Sequence, residues 1–283
     1  MAACSSSVTC KVTPDDALLL SRVGDIAQQH DVPTRPLHLQ ALLQLPRVAD
    51  SAGLLPIGLL NQLLDELALE LPARPEWVIN APPTSPRDFK FHEMDWSRAN
   101  DLMLRFHYLR SPRSDGRAYG LSTPSGELAA LCVASPLDVG SIELLMATHG
   151  RETTTVRVIS RVFAFPSAPK NSISFLLSRV CKREASLGVT DLVTYVNPNM
   201  GFRGESYRAS GWFRLGSEPG TKYRYLDQRY ITDRELHARY GRRTDSDYFA
   251  MLGHRFAISI MSLNPLLLFA RNIDSYASGK HAR

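Results

Sequence analysis

The sequence predicts an α/β protein of the α+β type, in which helices flank a mixed sheet and a helical region precedes that sheet. Leucines recur at helical spacing through residues 1–80, and strand and helix patterns then alternate between residues 88 and 230. A chain of 283 residues is long enough to bury one large core or two smaller ones. We therefore expect a helical N-terminal region over residues 1–80 and a sheet-bearing domain with a helical C-terminal extension over residues 81–283.

The N-terminal region is predicted to contain three helices separated by proline-bearing joints. Thr13 has the residue type of an N-cap, and the proline after it fits the first turn of a helix over residues 13–30. Residues 35–46 and 55–71 repeat the leucine spacing of a helix. The turn-rich stretch NAPPTSPRDF, residues 80–89, marks the expected boundary with the second region.

The second region alternates strand and helix patterns in a fixed order. The order begins with a helix from Asp95, a hairpin over 117–135 and a long loop. A strand over 153–165, a helix over 171–188 and a strand over 191–197 follow. The region continues with a short helix over 203–211 and two strands over 212–216 and 222–227. Asn171 or Ser172 is expected to cap the second of these helices, and Gly188 to end it. Such alternation is typical of a mixed sheet with helices packed on it.

The apolar C-terminal stretch, residues 256–270, predicts a buried pair of helices. Asn264 and Pro265 interrupt it, so it is not expected to span a membrane, and the N-terminus lacks the charged start and apolar run of a signal peptide. The four cysteines show neither metal-type nor redox-type spacing, which indicates reduced thiols in a cytoplasmic protein, with Cys132 and Cys181 in the core. Neither a bound metal nor a membrane partner is expected.

The net charge of +5 is unevenly distributed along the chain. Residues 1–80 carry five basic and nine acidic side chains, whereas residues 203–243 carry ten basic and five acidic ones. A basic half favours a nucleic acid or another phosphate-bearing partner. A solvated, arginine-rich surface is the alternative that this composition leaves open.

The stretch NPNMGFRGESYRASGWFRLG, residues 197–216, carries the spacing Tyr-x-x-x-Gly-aromatic at Tyr207, Gly211 and Trp212. Upstream of it, a strand, a short loop and a helix place free N–H groups at a helix start, and such groups attract anions. Together these patterns resemble the core of the GNAT acyltransferase superfamily. The resemblance implies that two splayed parallel strands hold an acyl donor and that Tyr207 protonates the leaving group. A tyrosine simply packed on the end of its helix is the alternative.

A narrower resemblance is to the phage Mom DNA-modification family, a GNAT-like branch. It spans roughly residues 85–240 and includes the stretches FHYLRS, VISRVFAFPSAPKNSIS and YLDQRYITDREL. The matching positions are His107, Tyr108, Ser160, Arg161, Asn171, Ser174, Gly201, Gly204 and Tyr207. This resemblance implies a GNAT-like catalytic domain that adds a small acyl-derived group to the exocyclic amine of adenine in DNA. The helical N-terminal region departs from the short members of that family.

His107, Tyr108 and Tyr207 are the predicted catalytic residues. An amine must be neutral to attack a carbonyl, and the ordinary pKa of histidine, ~6.5, suits His107 to the role of base. A structural histidine at the end of a helix is the alternative for His107. The ordinary pKa of tyrosine, ~10, keeps Tyr207 protonated and able to donate to a departing oxygen or sulfur.

The predicted donor-binding residues are Arg161, Lys170, Asn171 and Ser174. Arg161 lies on an otherwise apolar strand and is expected to bind a donor phosphate or to brace a carboxylate of the core. Ser174 lies one turn into the following helix, where it could bond a phosphate or the acyl carbonyl, or be an ordinary helical serine. The loop between them, PSAPKN, has two prolines and no glycine.

Each proline in this loop removes an N–H group that could wrap a pyrophosphate. The loop therefore predicts poor binding of acetyl-CoA, for which the charge of Lys170 would compensate only in part. A different acyl carrier is favoured, and an aminoacyl-tRNA is one candidate, since its ester also needs an acid at the leaving oxygen.

Asn197, Gly201, Arg203 and Gly204 are the predicted substrate-binding residues. The two glycines allow the backbone to turn and the substrate to approach closely, and Arg203 either contacts a phosphate or is solvated.

The leading functional hypothesis is a GNAT-fold N-acyltransferase that acts on an amine of a nucleic-acid-related substrate, as in Mom-like modification of adenine in DNA. One alternative is an aminoacyl-tRNA-dependent transferase that forms an amide on a small-molecule amine, as in the biosynthesis of nucleoside or peptide antibiotics. The other is a non-catalytic nucleic-acid-binding protein that reuses the fold. The expected partners are therefore DNA or tRNA, with a small amine acceptor as a further possibility.

Overall fold

The computed structural model describes residues 8–14, 16–74, 85–111, 113, 115–137, 155–218 and 221–277. The expected domain boundary at residues 80–89 is described only from residue 85 onward, and most of the expected long loop after the hairpin lies outside the described residues. The helices of the described ranges are α1 (Ala17–Gln29), α2 (Thr34–Val48), α3 (Ile57–Ala68), α4 (Trp96–Phe106), α5 (Ser172–Ser186), α6 (Glu205–Ala209), α7 (Asp233–Tyr240), α8 (Asp245–Leu252) and α9 (Asp274–Ala277).

The strands of the same ranges are β1 (Thr9–Lys11), β2 (Leu54–Pro56), β3 (Lys90–Met94), β4 (Arg117–Ser122), β5 (Leu128–Pro136), β6 (Val156–Ala164), β7 (Asp191–Val196), β8 (Phe213–Glu218), β9 (Arg224–Leu226), β10 (Arg229–Ile231), β11 (Phe256–Ile258) and β12 (Leu266–Asn272). The β4–β5 hairpin, the β6 strand, the α5 helix and the β7 strand lie where the sequence predicts them.

A seven-stranded sheet with the order β3-β4-β5-β6-β7-β12-β8 forms the centre of the protein. Its neighbouring strands are antiparallel except for β6 and β7, which run parallel. Parallel neighbours need a crossover connection, and α5 supplies it while packing its apolar face against β5. The predicted mixed sheet flanked by helices is confirmed.

The core between α5 and the sheet contains the two cysteines that the sequence placed there, Cys132 and Cys181, both fully buried and free. It also contains a buried carboxylate, Glu184, with no exposed surface. Glu184 accepts hydrogen bonds from the guanidinium of Arg117 and from the hydroxyl of Tyr119 at 2.6 Å. These partners compensate for the desolvation of the charge and tie α5 to β4.

Helices α1, α2 and α3 pack on one another around a cluster of buried leucines. Helix α1 begins later than the sequence suggests, because Asp16 rather than Thr13 is its N-cap. The Asp16 carboxylate accepts a hydrogen bond from the N–H of Leu19 at 2.9 Å. A charged cap satisfies a free N–H group and also interacts favourably with the helix dipole.

The N-terminal helices share their core with a much later part of the chain. Tyr223 and Tyr225 belong to the same buried cluster, and the Tyr225 hydroxyl donates to the carbonyl of Leu43 at 2.9 Å. Pro46, expected at a joint between helices, lies inside the last turn of α2. Its carbonyl accepts a hydrogen bond from the N–H of Ile260 at 2.7 Å, so α2 is joined to the C-terminal segment as well.

Residues 256–270 contain two strands, and the expected pair of buried helices is wrong. Strand β11 joins β9 and β10 in a separate three-stranded sheet, and β12 lies in the central sheet between β7 and β8. A short apolar run is compatible with a buried helix or with a buried strand, and here pairing with distant segments decided the outcome. No helix in the described part of the chain combines the length and apolarity that a membrane crossing requires.

Candidate active site

The parallel strands β6 and β7 separate within the sheet and form a fork. They pair from Val156↔Asp191 to Ile159↔Thr194 and no further. Beyond this point β6 stays paired with β5, while β7 stays paired with β12. The Thr194 hydroxyl lies at the fork and donates to the Ile159 carbonyl at 3.0 Å. Each strand thus keeps its outer neighbour, and the gap opens between them.

A cleft of about 660 Å³ extends from this fork. Its lining includes the second half of β6, the loop that follows it and the start of α5. It also includes the end of α4, the turn after it, the segment 197–209 and part of α2. All eleven predicted site residues line this cleft: His107, Tyr108, Arg161, Lys170, Asn171, Ser174, Asn197, Gly201, Arg203, Gly204 and Tyr207.

Tyr207 lies at the base of the cleft, with its hydroxyl 3.3 Å from the Thr194 hydroxyl. The ring is buried between Trp212, at 5.2 Å, and Phe269, at 6.1 Å between ring centroids. Burial raises the pKa of Tyr207 above its ordinary value, so the phenol keeps its proton at neutral pH. The side chain therefore presents a hydroxyl that can donate a proton at the point where the two strands part.

The backbone before Tyr207 depends on glycine. Gly201 and Gly204 adopt φ values of +73° and +75°, a region that L-residues with a side chain rarely occupy. A Cβ atom on Gly204 would also lie 2.6 Å from the Phe269 ring. Gly204 thus allows α6 to begin directly over the sheet, which is what brings Tyr207 to the fork.

His107 is the C-cap of α4 and is buried, at 4% exposure. Its Nδ1 atom lies 3.2 Å from the N–H of Leu109, which can only donate. Burial, assisted by the nearby charge of Arg161, holds the pKa of His107 well below its ordinary value. The ring is therefore neutral, and the hydrogen bond assigns its proton to Nε2. In this arrangement His107 offers an N–H group, and its one lone pair is already engaged by Leu109.

Tyr108 follows His107, and its ring centroid lies 4.4 Å from that of the tilted imidazole and 5.7 Å from that of the Phe202 ring. Burial raises the pKa of Tyr108, so this phenol also remains protonated. The residue that ends this turn, Arg110, has a φ of +44°, which is unusual for a residue other than glycine. The turn His107–Arg110 is thus a compact, strained segment that places two aromatic side chains beside the cleft.

The Arg161 guanidinium donates to two backbone carbonyls, those of Ser160 at 2.7 Å and Ser111 at 3.2 Å. No carboxylate among the described residues accepts a hydrogen bond from it, so the bracing of a core carboxylate is not seen. Its Nε atom is buried without a hydrogen-bond partner in the described structure. Burial and the neighbouring charge of Arg113 lower the pKa of Arg161, and an incoming anion would relieve both effects.

The donor side of the cleft begins at the loop between β6 and α5. Asn171 is the N-cap of α5, as predicted, but it is left-handed at φ +70° and its side chain makes no capping hydrogen bond. Ser172 instead donates to the carbonyl of Pro169 at 2.7 Å, within the loop. Ser174 donates to the carbonyl of Ser206 at 3.4 Å, which links α5 to α6. Lys170 is exposed at the rim.

The start of α5 offers backbone N–H groups to the cleft. The first-turn N–H groups of a helix lack partners within the helix, and Ile173 and Ser174 of that turn line the cleft. Pro166 and Pro169 contribute no N–H groups to the loop before it. The polar donors at this part of the cleft therefore include the start of α5 and the Lys170 ammonium.

Asn197 lies at the end of β7, where its amide donates to the Tyr223 hydroxyl at 2.6 Å. Its side-chain oxygen accepts from the N–H of Asn199 at 3.1 Å and thereby orders the turn toward Gly201. Arg203 is exposed at the rim, and its carbonyl accepts a hydrogen bond from Arg208 at 2.6 Å. The predicted substrate-binding residues are thus together on one wall.

The cleft is strongly basic. Its basic lining residues are Arg35, Arg105, Arg110, Arg161, Lys170 and Arg203, whereas Glu205 is its one acidic lining residue in the described structure. Charges that share a concave surface add to one another and attract anionic ligands. Within the described part of the chain, no three His, Cys, Asp or Glu side chains come together as a metal site would require.

Two contributions to the site were missed by sequence reasoning. Thr194 is the polar residue at the centre of the apolar strand DLVTYV, and that isolated hydroxyl was a signal that could have been used. Arg35 and Gln40 of α2 also line the cleft. No local pattern indicates this, because it depends on how the N-terminal helices pack against the rest of the chain.

A parallel pair of strands that splays over a buried tyrosine, with a helix start at one rim, defines a GNAT-like fold. The profile of the Mom protein family matches residues 88–256. The chain therefore belongs to the Mom protein family, and the predicted resemblance is confirmed. Among curated proteins, no sequence matches the chain.

Several solved structures are similar to part of the chain. The ribosomal-protein-S18-alanine N-acetyltransferase from Escherichia coli is 12% identical, with a TM-score of 0.36, over 65% of this chain and 94% of that one. The spermidine/spermine N-acetyltransferase from Vibrio cholerae, in complex with manganese ions, is 9% identical, with a TM-score of 0.39, over 69% and 99%. An acetyltransferase from Bacillus subtilis in complex with CoA is 10% identical, with a TM-score of 0.35, over 65% and 98%.

Proposed function

We propose that this protein is an N-acyltransferase that moves a small acyl or aminoacyl group onto an amine of a nucleic-acid substrate. The leading acceptor is the exocyclic amine of adenine in DNA. The observation that carries the proposal is the Tyr207 hydroxyl, protonated and buried at the fork of β6 and β7, at the base of a cleft with six basic lining residues and one acidic residue.

The proposed reaction is an acyl transfer from an activated ester or thioester. The amine nitrogen attacks the acyl carbonyl and forms the new C–N bond, and the C–O or C–S bond of the donor breaks. Tyr207 donates its proton to the departing oxygen or sulfur, and the proton lost by the amine restores the phenol or passes to water. General acid catalysis of this kind contributes about 10²- to 10⁴-fold in rate.

The chemistry of the acceptor determines what His107 must do. An alkylammonium has to lose a proton before it attacks, whereas the exocyclic amine of a nucleobase is already neutral near pH 7. Because His107 has its Nδ1 lone pair engaged by Leu109, it could serve as the predicted base only after this hydrogen bond opens. A neutral amine avoids that requirement, and the Nε2–H group can then orient an acceptor oxygen or nitrogen. The buried, low-pKa histidine therefore favours a nucleobase over an alkylamine.

Charge and size support a nucleic-acid acceptor. Arg35, Arg105 and Arg203 are exposed around the mouth of the cleft, where they could contact phosphates on either side of a bound nucleotide. A base within duplex DNA must leave the helical stack to reach the fork, and a cleft of about 660 Å³ is large enough for one nucleotide. Tyr108 and Phe202 offer aromatic faces on which such a base can stack.

A second candidate donor is an aminoacyl-tRNA, and the observation that favours it is the loop before α5. Pro166 and Pro169 leave this loop with few N–H groups for a pyrophosphate, as acetyl-CoA would require. An aminoacyl ester ends in a ribose and a phosphodiester, for which one helix start and the Lys170 charge suffice. The acceptor in this case is either DNA or a small amine.

The experiment is a two-donor transfer assay on the purified protein. Labelled acetyl-CoA and total tRNA charged with labelled amino acids are offered separately to duplex DNA, single-stranded DNA and free amines, and products are resolved by mass. We expect label on adenine-containing DNA, and a loss of about 10²-fold or more in the Tyr207→Phe variant. Label from tRNA alone supports the second donor. DNA binding that depends on salt, without transfer from either donor and unaffected by Tyr207→Phe, would replace the enzyme with a binding protein.

A further inference from the structure

Part of the cleft wall comes from helices that lie outside the match to the Mom family. The family match begins at residue 88, whereas α2 spans Thr34–Val48. Arg35, Leu39 and Gln40 of α2 line the cleft. The N-terminal helices are therefore close enough to the fork to act on the acceptor side of the site.

Two residues of the N-terminal region, Gln40 and Glu70, hold the turn His107–Arg110. The Gln40 amide donates to the Tyr108 carbonyl at 2.7 Å. Two residues after the end of α3, the Glu70 carboxylate pairs with the Arg110 guanidinium at 3.4 Å, and the Glu70 carbonyl accepts from the same group at 3.2 Å. A residue with a strained backbone, such as Arg110, stays in place only when its surroundings hold it. The N-terminal helices supply such support.

A third link joins the N-terminal helices to the segment that follows β7. Tyr223 is buried in the leucine-rich cluster of the N-terminal helices, and its hydroxyl accepts the hydrogen bond from Asn197. Met200 and Phe202, which follow Asn197, pack against the same cluster. The cluster is thus a common support for both segments of the acceptor wall, the turn with His107 and the segment that leads to Gly201.

We propose that the N-terminal helices are a working part of the active site and that Gln40 is a positioning residue for the His107–Arg110 turn. Gln40 acts through its hydrogen bond to the Tyr108 carbonyl, which restrains the backbone of the turn. The position of the Tyr108 and His107 rings relative to the fork depends on that restraint. The role of Gln40 in activity rests on the acyl transfer proposed above, whereas its role in ordering the turn does not. Arg35, five residues earlier on the same helix, adds charge at the same rim.

The test compares Gln40→Ala and the nearly isosteric Gln40→Glu with a matched control, Gln28→Ala, at an exposed position of α1. Both Gln40 variants lose the N–H donor. We expect kcat to fall about fivefold to tenfold, the effect of one neutral hydrogen bond on the geometry of the site, with less than a twofold change in the KM of the donor. Amide exchange at Leu109 and Arg110 should accelerate by a similar factor in both Gln40 variants, while Gln28→Ala keeps the kcat and the exchange rates of the wild type.

The two readouts separate the two proposals. If the wild type transfers label but both Gln40 variants retain its kcat and its exchange rates, the positioning role is refuted and the proposed function stands. If the wild type transfers nothing, the proposed function fails, and amide exchange decides the rest. Faster exchange confined to residues 107–111 in both Gln40 variants supports the positioning role, and unchanged exchange refutes it. Exchange that accelerates by the same factor throughout the chain in both variants would also refute it, since the effect would then not be confined to the turn.

Discussion

Tyr207→Phe separates the catalytic from the structural role of this side chain. The substitution removes a hydroxyl whose hydrogen-bond contact, to Thr194, is long at 3.3 Å, and it keeps the ring between Trp212 and Phe269. We expect the free energy of unfolding to change by less than about 1 kcal/mol, because only one weak hydrogen bond is lost. The transfer rate should fall about 10²- to 10⁴-fold, because the leaving group loses its acid. Single-turnover transfer and urea unfolding measure the two quantities.

A second tyrosine gives the opposite pattern and serves as the control. Tyr248 is buried away from the cleft, and its hydroxyl donates to the Gly241 carbonyl at 2.6 Å. Tyr248→Phe should lose about 1 kcal/mol of stability, since a short hydrogen bond is removed and a carbonyl is left unpaired, and it should keep its transfer rate.

Burial also raises the pKa of Tyr207, so no decline of activity below a pH of about 10 should come from its ionisation. Full activity in Tyr207→Phe would refute the acid role.

Two further predictions concern buried ionisable groups. In the unfolded chain His107 has its ordinary pKa of about 6.5, whereas burial lowers its pKa in the folded protein. Below about pH 6.5 the unfolded chain therefore binds more protons than the folded one. The contribution of His107 to the free energy of unfolding is full above that pH and falls as the pH drops below it. His107→Asn keeps an acceptor for the N–H of Leu109 but does not titrate in this range. It should reduce the dependence of the free energy of unfolding on pH by up to about 1.4 kcal/mol per pH unit, measured by urea unfolding at pH 5 to 7. An unchanged dependence on pH would contradict the burial argument. Glu184→Gln should cost about 3 to 5 kcal/mol, since it leaves the charge of Arg117 without its carboxylate and weakens the bond to Tyr119. Glu93→Gln breaks a half-exposed ion pair with Arg183 and should lower the free energy of unfolding much less than Glu184→Gln does. Equal losses of stability for the two variants in thermal unfolding would show that the burial of Glu184 is not the cause of its effect.

The sequence predicted those parts of the fold that local patterns determine. The β4–β5 hairpin has its turn at a Pro-Ser-Gly tripeptide, and β6 is dense in β-branched residues, so both were readable. The grouping of the site residues was also predictable, because the resemblance to the Mom family fixed their places on a known kind of sheet. Tyr207 then followed from its spacing to the glycine and the aromatic residue after it.

The parts that were missed depend on contacts between distant segments. Strand β12 was read as a helix, since an apolar run next to Pro265 does not reveal that its partner residues lie between 48 positions (Leu266↔Glu218) and 81 positions (Asn272↔Asp191) away along the chain. The contact of Gln40 with the turn after α4 is likewise a product of packing, at a separation of 68 residues. The tautomer of His107 could not be predicted either, because it is set by the N–H of Leu109 in a turn whose strain the sequence does not show.

The position of β12 has a consequence for the order in which the site is built during synthesis. β7 is one arm of the fork, and its other edge is covered by a strand that follows it by about 70 residues and lies beyond the end of the family match at residue 256. Until that strand emerges from the ribosome, β7 has an open edge, which is prone to pair with other chains. The same strand carries Phe269, the ring against which Tyr207 packs. The fork is therefore complete only once the chain through β12 is available, and a nascent chain that is halted earlier holds the proposed catalytic residues without this arrangement.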